Sequence, residues 1–183
     1  MEALWLTHEQ AEMIAAQARA EAPREACGLI AGVDERALEV MPIANAAPDP
    51  LHHYHMDEAQ MTRAMFDFER RGLTVIGIYH SHPQGDPIPS SVDIRQATYP
   101  DTAYLIVGLK GTEPQLAAWS IRAGQVERVD LHIGFDAPTE RPTRLSRAQI
   151  AAIVISAVLA FALMLALSLS LLPPAPVIVT PVR

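Results

Sequence analysis

The chain has 183 residues, room for one ordinary domain and an appendage. Its net charge of −7, with no basic stripe and no interleaving of basic and aromatic residues, argues against a nucleic-acid partner. The single cysteine, Cys27, excludes an intramolecular disulfide framework and is compatible with a reducing compartment.

Thr7 followed by Gln10 makes a capping box, and residues 7–21 read as an Ala-rich amphipathic helix with Leu6, Ala11, Ile14 and Ala18 toward the core. Pro23 ends it. The run EACGLIAG, residues 25–32, reads as a buried strand whose glycines allow close backbone approach, and residues 37–43 follow as its hairpin partner. After a Pro-rich loop at 45–50, the HHYHM run at 52–56 reads as a short strand. Asp57 caps a second helix to Arg71, with Met61, Ala64, Met65 and Phe68 inward, and Gly72 closes it. An apolar strand from Thr74 then leads to His80, a short helix is expected from Ser90 to about Thr98, and residues 103–109 form another apolar strand. Residues 115–121 and 125–131 pair as a hairpin around Ala123-Gly124. The order predicts an α/β fold, a mixed β-sheet flanked by helices.

Mean hydropathy is +0.13 overall but concentrated late in the chain. Residues 150–172 (IAAIVISAVLAFALMLALSLSLL) carry no charge, no Gly and no Pro. At about 1.5 Å per residue the run reaches roughly 34 Å, enough to cross a hydrocarbon core of about 30 Å. Arg141, Arg144 and Arg147 precede it and only Arg183 follows, which favours a cytoplasmic N-terminal side. The expected layout is a domain at 1–133, a Pro/Arg-rich linker at 134–147, a transmembrane helix at 148–172 and a short tail at 173–183. That makes a tail-anchored, single-pass membrane protein whose folded domain faces the cytoplasm.

The chemistry gathers in YHSHPQGDPIPSSVD, residues 79–93. His80 and His82 lie two apart, so a strand turns both imidazoles to one face, where they can share a metal ion. Asp93 enters from the helix after the loop. Two nitrogens and one carboxylate leave one position of a tetrahedral zinc open, the mark of a catalytic site. Amide hydrolysis also needs a carboxylate near the metal but not on it. Several acids are available and spacing does not choose among them. Glu25 is favoured because the start of a buried strand would raise its pKa; the competing reading is a surface glutamate paired with Arg24. Ser90 is read as a donor to the developing oxyanion, with Ser91 then free to cap the helix; the alternative is that Ser90 itself is the cap.

His80-Ser-His82-Pro, ten residues between His82 and Asp93, Ser90 three before Asp93, and Glu25 in EACGLIAG resemble the JAMM (MPN-plus) metallopeptidases. The likeness covers residues 5–132, including Asn45 and Gly77, and the short flanks of the motif are closest to the compact prokaryotic members. It implies an MPN/cytidine-deaminase-like fold, one catalytic Zn2+ held by His80, His82 and Asp93, a metal-bound water, Glu25 as general acid/base and Ser90 as oxyanion partner. The family hydrolyses the amide or isopeptide bond after the C-terminal tail of ubiquitin-like or sulfur-carrier proteins. Two rivals stay open: a membrane-anchored, zinc-containing receptor for such carriers, and a zinc amidohydrolase of small peptide adducts.

His53 and His55 form a second HxH that lacks a matching carboxylate; an edge-strand wall for an extended substrate tail is the simpler reading. Cys27, inside an apolar strand, reads as packing rather than nucleophile. Trp5 and Trp119 read as core or rim packing.

Overall fold

The computed structural model describes residues 1–134 and 147–170. It divides into two compact units, Met1–Pro142 and Thr143–Arg183. In the first, seven strands form a closed sheet: β1 (Ala3–Leu6), β2 (Cys27–Val33), β3 (Arg36–Ile43), β4 (Thr74–His82), β5 (Ala103–Gly108), β6 (Gln115–Arg122) and β7 (Gln125–Ile133). Their spatial order is β1-β3-β2-β4-β5-β6-β7, with β1 returning to β7. The mixed sheet expected from the sequence is present, but it closes into a barrel. The closing piece is β1, which the sequence reading left unassigned. Its four residues run parallel to β7 and touch β3 at one pair, Trp5 opposite Arg36. Leu6, read as the first inward residue of a helix, belongs to this strand.

Helix α1 (His8–Glu21) carries the expected Thr7–Gln10 capping box, and its inner face is Gln10, Ala11, Ile14 and Ala18. It covers one side of the sheet together with Leu105, Val107 and Tyr79. Helix α2 (Glu58–Arg70), capped by Asp57, covers the other side, where Ala64 and Phe68 meet Leu29, Ile78 and Tyr104. Met61 and Met65 are only partly buried there. Burying a side chain the size of Phe68 contributes about 2–3 kcal/mol. With both faces covered, β5 is buried along its whole length, which is why residues 103–108 read as an unbroken apolar run.

Two strands position the site. β2 pairs antiparallel with β4, Cys27 opposite His80, and β4 pairs parallel with β5, His82 opposite Gly108. The close approach inferred for the β2 glycines is real at Gly28. A Cβ there would lie 2.4 Å from the Met41 carbonyl oxygen and 2.5 Å from the Tyr79 ring. The missing side chain lets Tyr79 lie flat across the strand and reach Gln17 with its hydroxyl.

The strand expected at 52–56 is not formed. Only Met56 bridges, to Asn45, because the amides of His52 and His53 turn back to the Asp49 carbonyl. The third helix, α3, is Ser91–Gln96, shorter than expected, since Ala97 is already extended ahead of Pro100.

In the second unit α4 (Arg147–Ser170) is helical over 24 residues. Its described large apolar side chains, among them Val154, Ile155, Val158, Leu159, Phe161 and Leu163, are more than half exposed. Among the described residues, no helix is long and apolar enough to cross a membrane. Residues 135–146 of the expected 134–147 linker, the last two residues of the expected span and the tail at 173–183 lie outside the described residues.

Candidate metal centre

β4 ends in His80 and His82, and their Nε2 atoms converge at 3.1 Å. The Asp93 carboxylate lies 3.5 Å from His80 Nε2 through Oδ1 and 3.4 Å from His82 Nε2 through Oδ2. A tetrahedral ion with bonds of 2.0–2.1 Å requires donor–donor separations of roughly 3.3 Å. The Nε2–Nε2 separation lies close to that value and the carboxylate faces each imidazole through a different oxygen, so with one donor atom from each residue within 4.8 Å of the others the group is compatible with a small metal ion, and two imidazoles with one carboxylate suit zinc. Among the described residues it is the group of His, Cys, Asp and Glu side chains that can share an ion.

Asp93 reaches this point because α3 starts where it does. Ser90 is the N-cap: its Oγ accepts the Asp93 amide at 3.1 Å, and the Asp93 carboxylate accepts the Ser90 amide at 2.6 Å. The expectation that Ser91 caps the helix is therefore corrected; Ser91 is the first helical residue. The local reason is reciprocal satisfaction of two orphan amides, which also fixes the carboxylate toward the histidines.

Glu25 precedes β2 instead of starting it, and it is buried, 6% exposed. Its amide donates to the Pro50 carbonyl at 2.8 Å and its carbonyl accepts Asn45 Nδ2 at 2.9 Å. The guanidinium of Arg24 turns to the Asn45 carbonyl at 3.3 Å. Burial pushes the Glu25 carboxyl up to about 7; His82 opposes that rise and Asp93 adds to it. For Asp93, burial works upward, but hydrogen bonds to His80, His82 and Ser90 outweigh it and hold the carboxyl well below the usual range. Burial lowers the pKa of His80, whereas at His82 the bonds to Asp93 and the Asp86 carbonyl outweigh burial and raise it. Two carboxyls at one centre are thus driven in opposite directions, one ready to ligate and one ready to exchange a proton.

Three residues gain supporting roles here, of which only Asn45 figured in the sequence resemblance. Ser81, between the two histidines, faces away from them; its Oγ accepts the Ala26 amide at 2.8 Å while its own amide donates to the Ala26 carbonyl at 2.9 Å. That pair of bonds fastens Glu25's neighbour to the ligand strand. Asn45 is buried and uses all its polar capacity: Nδ2 also donates to the His53 carbonyl at 3.0 Å, and Oδ1 accepts the amides of Ala47 and His55 at 3.0 and 3.1 Å. It holds out Tyr54, whose ring stacks on His80 with centroids 4.3 Å apart. Period-two alternation is the signal that could have found Ser81; nothing local marks Tyr54.

Other candidates resolve simply. His53 and His55 join no metal-compatible group among the described residues, and His55 lies 3.8 Å from Glu58 on the surface. Cys27 is buried, donates to the Ile43 carbonyl, and burial pushes its thiol up to about 12, which leaves no thiolate to act as nucleophile.

Residues 8–122 match the family described as prokaryotic homologs of the JAB domain. The chain belongs to that family. It is 42% identical over 92 residues to a probable TtuB-protein conjugate cleaving protease of Thermus thermophilus, a match spanning 50% of this chain and 60% of that one. It is 35% identical to a desampylase of Haloferax volcanii over 51% of this chain and 69% of the relative. A CysO-cysteine peptidase of Mycobacterium tuberculosis is 33% identical over 52% of this chain and 66% of its own length. Among solved structures, a protein of Desulfitobacterium hafniense superposes with a TM-score of 0.69 at 30% identity, covering 77% of this chain and 99% of that one.

Proposed function

We propose that the chain is a zinc-dependent peptidase that hydrolyses the amide or isopeptide bond following the C-terminal tail of a ubiquitin-like or sulfur-carrier protein. The observation that carries the reading is Glu25: a buried carboxyl, not itself a ligand, with its pKa pushed up to about 7 beside three donors spaced for one ion. The relatives named as a desampylase, a CysO-cysteine peptidase and a conjugate-cleaving protease support the class of substrate.

His80, His82 and Asp93 hold the zinc. When bound there, zinc supplies Lewis acidity and lowers the pKa of water toward about 7. Glu25 takes the proton from the attacking water as the C–O bond forms, then delivers it to the leaving nitrogen as the C–N bond breaks. Its pKa near neutrality suits both halves of that transfer. The Ser90 hydroxyl, which accepts the Asp93 amide, directs its own proton to the carbonyl oxygen as negative charge develops. Tyr54 and Asn45 hold the wall of the site against His80 and Glu25.

We assign the uncharged run at 150–172 to a membrane span, with Arg141, Arg144 and Arg147 keeping the domain on the cytoplasmic side. Support for this comes from the sequence, together with the exposed apolar side chains of α4. Carbonate extraction and protease protection of the full-length chain test it; release into the carbonate supernatant rejects the span.

The catalytic reading is tested with Glu25→Gln and a set of carrier conjugates. Retained zinc with hydrolysis lowered by about 10²–10⁴-fold is the expected result. Undiminished turnover removes Glu25 from the reaction. Stoichiometric zinc with no cleavage by the unsubstituted chain favours the receptor, and cleavage of free dipeptides in preference to carrier conjugates favours the small-adduct amidohydrolase.

A further inference from the structure

The two histidines of the centre are oriented by different means. His80 Nδ1 is buried with no hydrogen-bond partner among the described residues, and the ring stacks against Tyr54. His82 instead has its Nδ1 3.1 Å from the Asp86 carbonyl oxygen. A ring that donates Nδ1–H to that carbonyl presents a bare Nε2 lone pair toward His80 and Asp93. The orientation and tautomer of His82 therefore depend on where the Asp86 carbonyl stands.

That carbonyl sits in a turn that its own amides close only in part: Ile88 donates to the Asp86 carbonyl at 2.8 Å and Gly85 to the His82 carbonyl at 3.2 Å. In PQGDPIPS, residues 83–90, three prolines remove three amide donors, so further partners for the turn come from outside it. The structure supplies them from β5, β6 and the turn between them. The Trp119 indole on β6 donates Nε1–H to the Pro87 carbonyl at 2.9 Å, one peptide beyond the Asp86 carbonyl. Lys110 pairs with the Asp86 carboxylate at 3.0 Å, and the Leu109 amide donates to the His82 carbonyl at 3.1 Å. Gly108 lies so close that a Cβ would fall 2.7 Å from Pro87 nitrogen and 2.9 Å from the Asp86 carbonyl carbon. Trp119 is far from the metal along the sheet: it pairs with Tyr104, which pairs with Ile78, four residues before His82. The turn folds back across β5 to meet it.

We propose that Trp119 is a positioning residue for the metal centre: by holding the Pro87 carbonyl it fixes the adjacent Asp86 carbonyl, which in turn sets the tautomer and direction of His82. Lys110 assists from the exposed side of the same turn. The proposal rests on the reading of His80, His82 and Asp93 as zinc ligands. Its prediction concerns the affinity of the centre and not the identity of the reaction.

Trp119→Phe keeps an aromatic ring on β6 and deletes the donor. Zinc affinity of the full-length chain, measured by competition with a chromophoric chelator, is expected to fall about tenfold, at the lower end of the loss typical when an outer partner of a ligating histidine is removed. In the zinc-free chain, ¹⁵N spectra of the histidine rings are expected to show His82 held with its proton on Nδ1 in the unsubstituted protein and mixed tautomers in the variant. A packing role alone would lower the thermal midpoint and leave both readouts unmoved. Lys110→Met, at an exposed site that does not threaten folding, is expected to weaken zinc by about two- to threefold. Zinc affinity within error of the unsubstituted chain in Trp119→Phe, or in Lys110→Met should the first variant not fold, overturns the positioning role while leaving the zinc reading intact. Failure of the unsubstituted chain to bind zinc overturns both.

Discussion

Asn45 and Glu25 are joined through the main chain: Asn45 Nδ2 donates to the Glu25 carbonyl at 2.9 Å, inside the protein, while the other Nδ2 hydrogen reaches His53. One amide side chain thereby ties Glu25 to the segment that carries Tyr54 over His80. Replacing it leaves two carbonyls and two amides to find new partners, and of these bonds the one to the Glu25 carbonyl is buried.

Asn45→Ala is accordingly expected to cost about 1–3 kcal/mol of stability, the range for leaving a buried polar group unsatisfied. Urea unfolding of the zinc-free chain measures it. A loss below about 1 kcal/mol would mean that water takes over these bonds and that the clamp is incidental.

Glu25 gives a pH-dependent prediction. Its folded-state pKa, about 7, is above the ordinary 4.5, so the folded zinc-free protein holds that proton where the unfolded chain has released it. Its contribution is fully present below pH 4.5 and disappears as pH rises through 7. The swing is about 3 kcal/mol, from about 1.4 kcal/mol for each pKa unit. Glu25→Gln removes the titration, so the zinc-free variant is expected to gain on the unsubstituted chain between pH 5 and pH 8. Parallel stability curves for the two proteins over that range would contradict it.

Asp93 has two duties that one substitution separates. Asparagine caps a helix about as well as aspartate, so Asp93→Asn is expected to keep α3 and stay within about 1 kcal/mol of the parent in thermal unfolding. Loss of the negative ligand is nevertheless expected to lower zinc affinity by at least about tenfold. Elemental analysis after dialysis reads the second quantity. Full zinc content in this variant would exclude Asp93 from the donor set.

Gly28→Ala tests the packing behind the site. With the Met41 carbonyl at 2.4 Å and the Tyr79 ring at 2.5 Å from the added carbon, either the β2–β3 pairing or the Tyr79–Gln17 contact must yield. About 2–3 kcal/mol of destabilisation is expected. A variant as stable as the parent would show that Tyr79 has room to move.

Most of the centre was legible from residue order because its candidate donors are local. His80, His82 and Asp93 are set by a strand period and a helix cap, both of which act over a few residues. Glu25 could be favoured but not chosen on spacing, since its burial depends on Pro50 and Asn45 folding over it. Ser90 was legible as either cap or donor, and only the geometry of Asp93 shows the cap. β1 was hidden because four residues give too short a pattern, and because its partner β7 lies more than a hundred positions away. The 52–56 run was misread for the opposite reason: its aromatic and histidine-rich composition favours a strand, but the Asp49–Pro50 turn takes its amides first. Trp119 was visible only as an aromatic on a half-exposed strand; its tie to Pro87 is a matter of how a proline-rich turn folds back across β5.

The pairing of Cys27 with His80 has a bearing on how metal content and turnover part company. The three candidate donors occupy one continuous stretch of chain, whereas Glu25 comes from a segment some 55 positions earlier that the pairing of β2 with β4 brings in. Under the proposed roles, a substitution that weakens the β2–β4 pairing is expected to lower turnover more than metal content; equal losses of the two would contradict it.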